Sequence, residues 1–341
     1  MERVLVTGAG GYIGTVLVPI LLEQGYSVRA LDRFFFGQGL LPQSDHVETI
    51  QEDIRHIKME HMKDVDYVID LAALSNDPSG ELFQDATRAI NHIGRVKVAA
   101  LAKEAGVKRY ILPSSCSIYG FQEEGVIADE KSPTNPLTTY SKANEMAEEG
   151  TLALADDVFC VVALRQATVY GFSPRMRFDL AINGMTFGAW KTGKLPLMRD
   201  GSQWRPMIHV QDTARAQAFM LKAPADKVNG QIFNVGSERN NYQLGPLAEI
   251  VAKTVPGDVE IEWYGDPDHR SYRVNFDKIV ALGYAAKYGA EDGVAELIEK
   301  LEAGTLDKTT KTITLDWYRE LVKFQEIIHQ TEMHGGLIDI S

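Results

Sequence analysis

Cysteine is scarce. Cys116 and Cys160 are the only two in 341 residues, too few for a disulfide framework and in keeping with a reducing compartment. No stretch approaches the ~18 consecutive apolar residues of a membrane span. The N-terminus runs straight into Val4-Leu5-Val6, without the charged leader and long apolar region of a signal peptide, so the expected location is the cytoplasm. Basic charge is also short. Lys and Arg number 35 against 47 Asp and Glu, a net charge of −12. That excludes a broad basic surface for nucleic acid but not a local basic pocket. His46, His56, His61 and His92 lack the partner spacing of a zinc site, and no metal is expected. There is no internal repeat, low-complexity tract or obvious linker. What is present is ordinary for a soluble globular chain, 45% apolar and 24% charged, and long enough for one large α/β domain or two smaller ones.

Short apolar runs alternate with helical patterns in the first half. The pattern predicts strands at Arg3–Thr7, Ser27–Leu31, Val47–Gln51, Val65–Leu71, Arg109–Pro113 and Val158–Leu164. Helices are predicted at Tyr12–Gln24, about 85–105 and about 139–154. Strands separated by helices imply βαβ units, and hence a Rossmann-type, doubly wound parallel sheet with right-handed crossovers. After Gly171 the pattern loosens. Residues 1–171 read as this domain, rejoined by about 206–235, where Met207–Val210 and Ile232–Val235 look like a return to the sheet. Residues 172–205 and 236–315 read as a smaller α/β lobe, and 316–341 as a tail that begins helically.

Thr7-Gly8-Ala9-Gly10-Gly11-Tyr12-Ile13-Gly14 joins the first strand to the first helix. There Gly8 permits a tight turn, Gly11 lets the backbone approach a pyrophosphate and Gly14 lets helix and strand pack closely. The helix N-terminus adds free N–H groups and a positive dipole. Asp32 ends the next strand, where a carboxylate accepts hydrogen bonds from adenosine ribose hydroxyls and repels a 2′-phosphate. This favours NAD over NADP, a preference that Arg33 beside it weakens slightly.

Three more segments carry a family resemblance: Ser114-Ser115-Cys116-Ser117-Ile118-Tyr119-Gly120, Tyr140 after Pro133 and Pro136, and Leu164-Arg165-Gln166-Ala167-Thr168-Val169-Tyr170-Gly171. With the glycine motif, the chain over about residues 3–285 resembles the extended short-chain dehydrogenase/reductase superfamily. The branch is the NAD-dependent epimerase/dehydratase group that modifies nucleotide sugars. A carbinol carbon gives up hydride only if its O–H proton leaves too. A tyrosinate can take that proton, and a hydroxyl can hold the same oxygen. Tyr140 and Ser115 match the family's catalytic pair. The resemblance further implies adenine contacts from Asp53-Ile54, and a loop along the pyrophosphate and nicotinamide ribose from Leu71-Ala72-Ala73, with Ser75 following. It also implies a helical Asn91 near the cofactor and Ala167 against the nicotinamide. In the second lobe, Arg205 and Arg270 look like the arginines that grip the nucleotide diphosphate, with Asn183 and Thr168 as further substrate contacts. Arg175 and Arg177 could join such an anion pocket.

The resemblance implies a nucleotide-sugar epimerase that oxidises a ring carbon transiently and reduces it again on the other face. A 4,6-dehydratase would need Asp-Glu where Cys116-Ser117 stands. A reductase or dehydrogenase with exchanging cofactor, and a non-catalytic NAD-binding regulator, remain as alternatives. Sugar, nucleotide and ring carbon are not legible. A homodimer is expected, with Ala99, Ala100, Ala102, Ala105, Ala143 and Ala147 permitting close approach of the helices around 85–105 and 140 to their twins. The chain departs from the family pattern Tyr-x-x-x-Lys, whose lysine holds the nicotinamide ribose and lowers the tyrosine's pKa. Asn144 stands at that position. Lys142 lies about 200° around an ideal helix from Tyr140 and should point away. Asn144 can bond ribose hydroxyls but brings no charge, so slow turnover, or turnover at raised pH, is expected.

Overall fold

The computed structural model describes residues 1–123, 125–266 and 271–333. The chain builds a seven-stranded sheet in the order Gln231–Val235, Cys160–Gln166, Arg109–Ser115, Tyr67–Asp70, Arg3–Thr7, Ser27–Asp32, Val47–Gln51. All its pairings are parallel. Helices cover both faces, so the central strands are apolar throughout rather than alternating. Val4 and Val6 enter one core cluster. Leu5, between them, points through the sheet into the other, with Val68, Ala99, Tyr110 and Ala147. The first cluster runs on without a break into Leu247, Val294 and Leu301.

The strand order reverses at Arg3–Thr7, and the crevice at the carboxyl ends of the strands there is where such sheets bind ligands. Register puts Thr7 beside both Leu31 and Asp70, and Ser115 beside Gln166. The strand ends that carry Asp32, Asp70 and Ser115 therefore share one rim.

Two expectations needed correction. The helix expected over about 85–105 is three pieces: α-helical Gln84–Arg88, a π-turn at Ala89–Gly94, and α-helical Arg95–Glu104. Trp204–His209 does not rejoin the main sheet. It pairs with Thr168–Tyr170 and Asn241–Gln243 in a separate three-stranded sheet, and of residues 206–235 only Gln231–Val235 returns. Periodicity identifies a strand but not its neighbour. The tail helix Thr314–Thr331 folds back onto the first half: Trp317 Nε1 donates to the Phe35 carbonyl at 2.7 Å, and the Tyr318 ring packs on Phe35 and Phe36. No helix among the described residues is long and apolar enough to cross a membrane.

The helix Thr139–Leu152 starts at a capping box, in which the Thr138 hydroxyl accepts from the Ser141 N–H and the Ser141 hydroxyl from the Thr138 N–H; this fixes its first turn. Farther along, Glu148 binds the Arg165 guanidinium through three contacts of 2.8–3.1 Å, both side chains being buried. The helix that presents Tyr140 is thereby tied to the strand Cys160–Gln166.

Candidate active site

One cavity of about 470 Å³ opens along this rim. At one end its wall is the glycine loop (Gly8, Gly11, Tyr12, Ile13, Gly14), with Asp32, Arg33, Asp53 and Ile54. Gly8 has φ +67°, and a Cβ on it would lie 2.7 Å from the Ala72 nitrogen; a Cβ on Gly14 would lie 2.4 Å from the Gly8 carbonyl. Those two glycines serve chain packing. A Cβ on Gly11 would meet only the Gly8 carbonyl, at 3.0 Å, so this glycine keeps the cavity side of the loop open. The Asp32 carboxylate accepts from the N–H groups of Gly10 (3.1 Å) and Phe34 (2.6 Å). Burial holds its pKa above the ordinary value, against those bonds. Burial would also raise Asp53, but hydrogen bonds and charge from Arg55, with Arg33 beside it, hold it down at about 2.

The cavity is further lined by Leu71, Ala72, Ala73 and Ser75, and by Ser115, Tyr140, Ala167 and Thr168. The Ser115 and Tyr140 side chains stand on this same wall, and the Ser115 hydroxyl accepts from the Ser117 N–H at 3.1 Å. Burial raises the Tyr140 pKa, and Asp77 adds to the rise; Arg95, the Ser115 hydroxyl and Arg177 pull it down. Ser114 and Ser117 line the same wall, and their hydroxyls have no partner among the described residues. Cys116 is turned into the core, where its thiol donates to the Arg165 carbonyl and burial raises its pKa.

The cavity is also lined by Arg205, whose guanidinium sits 5.5 Å from the Tyr272 ring centroid, and by Arg177, which donates to Ser75 Oγ at 3.1 Å and pairs with Asp179. Arg175 is buried, its Nη2 donates to Thr314 Oγ1, and its guanidinium lies 3.6 Å from the Phe36 ring centroid. Its Nε and Nη1 have no partner among the described residues, and burial with the neighbouring Arg177 pushes its pKa down to about 10. A buried guanidinium with two unpartnered donors in a cavity wall is a position where an anion would be stabilised. Arg175 shares this wall with the open face of Gly11, and its charge reaches Asp32.

Three expected contacts do not reach this wall. Asn91 is buried and holds the Leu74 N–H and carbonyl, both at 2.9 Å. Asn183 accepts from Gly171 N–H and donates to Tyr12 Oη and the Arg177 carbonyl. Asn144 is turned inward, and Lys142 is exposed and off the wall. Arg270 lies outside the described residues. Sequence reading did not single out Phe35, Phe36, Asp77, Arg95, Asp179 or Tyr318. The Phe34-Phe35-Phe36 run just after Asp32 was a usable signal for the first two. Nothing local marks Tyr318, which arrives from the far end of the chain.

Replacing Gly11 with valine should fill the open face of the loop. The expected result is NAD affinity at least about tenfold weaker by calorimetry, with the fold intact; parental affinity in Gly11→Val would remove the loop from cofactor binding.

Known proteins resemble this chain over most of its length. Residues 4–236 match the NAD dependent epimerase/dehydratase family. A putative UDP-glucose 4-epimerase of Methanocaldococcus jannaschii is 24% identical over 306 residues, 86% of this chain and 97% of that protein. Putative UDP-arabinose 4-epimerase 2 of Arabidopsis thaliana is 29% identical over 298 residues, 77% of this chain and 70% of that one. Among solved structures, MoeE5 in complex with UDP-glucuronic acid and NAD is similar with a TM-score of 0.78 at 27% identity, over 89% of this chain and 100% of that one. With the family match spanning well over half of its length, this chain belongs to the NAD dependent epimerase/dehydratase family and is an NAD-dependent enzyme.

Proposed function

We propose that the protein is a nucleotide-sugar epimerase. The observation that carries this reading is the reacting wall. It offers the Ser115–Tyr140 hydroxyl pair, but no acid from the two positions after Ser115, because Cys116 is buried away and Ser117 is a hydroxyl. Such a wall can take a proton from a sugar hydroxyl and give it back, and those two positions supply nothing to expel water from a neighbouring carbon.

Gly8–Gly14, Asp32 and Ala72-Ala73 would hold NAD, which would supply the acceptance and return of hydride at the sugar carbon. Tyr140 takes the hydroxyl proton as the ketone forms and returns it afterwards, while Ser115 holds the same oxygen. Arg205, Arg177 and Arg175 supply positive charge for the diphosphates of substrate and cofactor. The names of the two curated relatives above support a 4-epimerase of a UDP-sugar.

The test is incubation with UDP-glucose, UDP-galactose, UDP-glucuronic acid and UDP-xylose in heavy water. The expected product is the epimer, with no solvent deuterium at the inverted carbon and no lasting reduced nicotinamide. Loss of water or carbon dioxide from the sugar, or stoichiometric reduced cofactor, would assign a different reaction.

The assembly we propose is a homodimer. Ala99, Ala102, Ala143 and Ala147 are buried inside the chain, so they do not form its surface. Ile93 and Met146, 60% and 44% exposed, lie outward on the two expected interface helices. The double variant Ile93→Asp/Met146→Asp is expected to halve the molar mass seen by light scattering; a monomeric parent would refute the dimer.

A further inference from the structure

Family members place a lysine four residues after the tyrosine; this chain has Asn144 there, and its side chain is fully occupied. Asn144 Nδ2 donates to the Tyr140 carbonyl at 2.9 Å, and Oδ1 accepts from Arg95 Nη1 at 2.8 Å. Arg95 is 2% exposed, and its Nε donates at 3.1 Å to the carbonyl of Ala72, a residue of the cavity wall. The guanidinium thus bridges the loop beside the cofactor cavity and the helix that carries Tyr140. We propose that Arg95 is a positioning residue that supplies the fixed positive charge behind Tyr140, with Asn144 as the bracket that holds it there. This rests on the reading of Tyr140 as the proton acceptor.

The backbone explains how Arg95 gets there. The π-turn at Ala89–Gly94 immediately precedes it. One extra residue per turn rotates all that follows by about 100° relative to an uninterrupted helix. Asn91 pins the turn to Leu74, and Gly94 gives it room, since a Cβ there would stand 3.0 Å from Ile54 Cδ1. Arg95 then faces inward as the first residue of Arg95–Glu104.

Burying a guanidinium without a strong partner is costly. No ion pair joins Arg95 to a carboxylate among the described residues. The carboxylate that feels it is Asp70, which is buried and raised in pKa by that burial, with Arg95 pulling it down. Asp70 is itself bonded by the Thr7 hydroxyl and by Tyr110 Oη at 2.6 Å, and Tyr110 Oη also reaches the Arg95 carbonyl. The other groups facing this corner are Asp77, which accepts from Thr138 Oγ1; Glu81, which accepts from the Thr139 N–H; and Arg177, paired with Asp179. Of these cations, Arg95 opposes the burial of the Tyr140 hydroxyl most strongly. Guanidinium does not titrate in the working range, so the charge is permanent where a lysine's could be lost.

The experiment is a spectrophotometric titration of Tyr140, taken as the difference between each protein and its Tyr140→Phe counterpart, with NAD and substrate absent. Arg95→Gln should move the Tyr140 titration upward by about one pH unit or more. The acidic limb of the pH–rate profile should move with it, while NAD affinity by calorimetry changes less than about threefold. The double variant Arg95→Gln/Asn144→Lys should restore the parental titration. An unmoved titration in Arg95→Gln overturns the proposal and leaves Arg95 as packing for Asp70. If Arg95→Gln does not fold, the double variant decides: parental titration in the folded double supports the charge role, and a raised one refutes it. The titration is read without substrate. A protein that epimerises no sugar but shows the shift would therefore refute the proposed function and not this inference.

Discussion

Tyr140→Phe lowers turnover of the true substrate by about 10²-fold or more while the protein stays folded and retains NAD. The hydroxyl belongs to a phenol that lines the same cavity wall as Ser115. Phenylalanine keeps the Cβ that packs against Gly80, where an added Cβ would lie 3.1 Å from Tyr140 Cβ. The loss should therefore appear in kcat with little change in KM, because the hydroxyl matters only as the proton moves. The sign of the pH dependence follows from burial. A hydroxyl held above its ordinary pKa is mostly protonated at neutral pH. The parent rate should then climb with rising pH as Tyr140 ionises, and Ser115→Ala, which removes a hydroxyl that favours the ionised form, should push that climb to higher pH. Full activity in Tyr140→Phe would end the mechanism.

Glu148→Ala is expected to cost about 3–5 kcal/mol of stability, because it leaves a buried guanidinium without its carboxylate. Arg165 would keep one donor bond, from Nη1 to Tyr119 Oη at 3.0 Å, and its position 5.1 Å from the Tyr119 ring centroid. Neither neutralises the charge. Chemical denaturation is the measurement: the midpoint should fall with an unchanged slope. The folded remainder should also turn over more slowly, since Glu148 ties the Tyr140 helix to the sheet. A loss below about 1 kcal/mol would mean that water or a shifted side chain satisfies Arg165, and that the pair is not the tie described here.

The six strands expected from apolar runs are present to within two or three residues at each end, and the glycine loop with Asp32 lies where its spacing placed it. Those features are local. Turn chemistry, apolar periodicity and a carboxylate at a strand end are written in neighbouring residues. The pair proposed to react was legible in another way, through resemblance, because Ser115 and Tyr140 sit in recognisable segments on separate elements. Asn144 shows the limit of helical spacing. Four residues does put it on the same side as Tyr140, but its amide is consumed by the Tyr140 carbonyl and by Arg95, neither of which spacing reveals.

What the sequence determined by itself is the alternation of strands and helices, the glycine loop and the two hydroxyls proposed to react. Tertiary structure alone decided which charges reach them. Arg95 and Asn144 are 49 positions apart and meet because two helices pack side by side on the sheet. The Trp317 bond to the Phe35 carbonyl spans 282 positions and brings Tyr318 to the cavity wall. A charge acts through space over a few ångströms, whereas sequence records only order along the chain. The π-turn that aims Arg95 inward forms because Asn91 finds the Leu74 backbone on another loop, a partner no local pattern could supply.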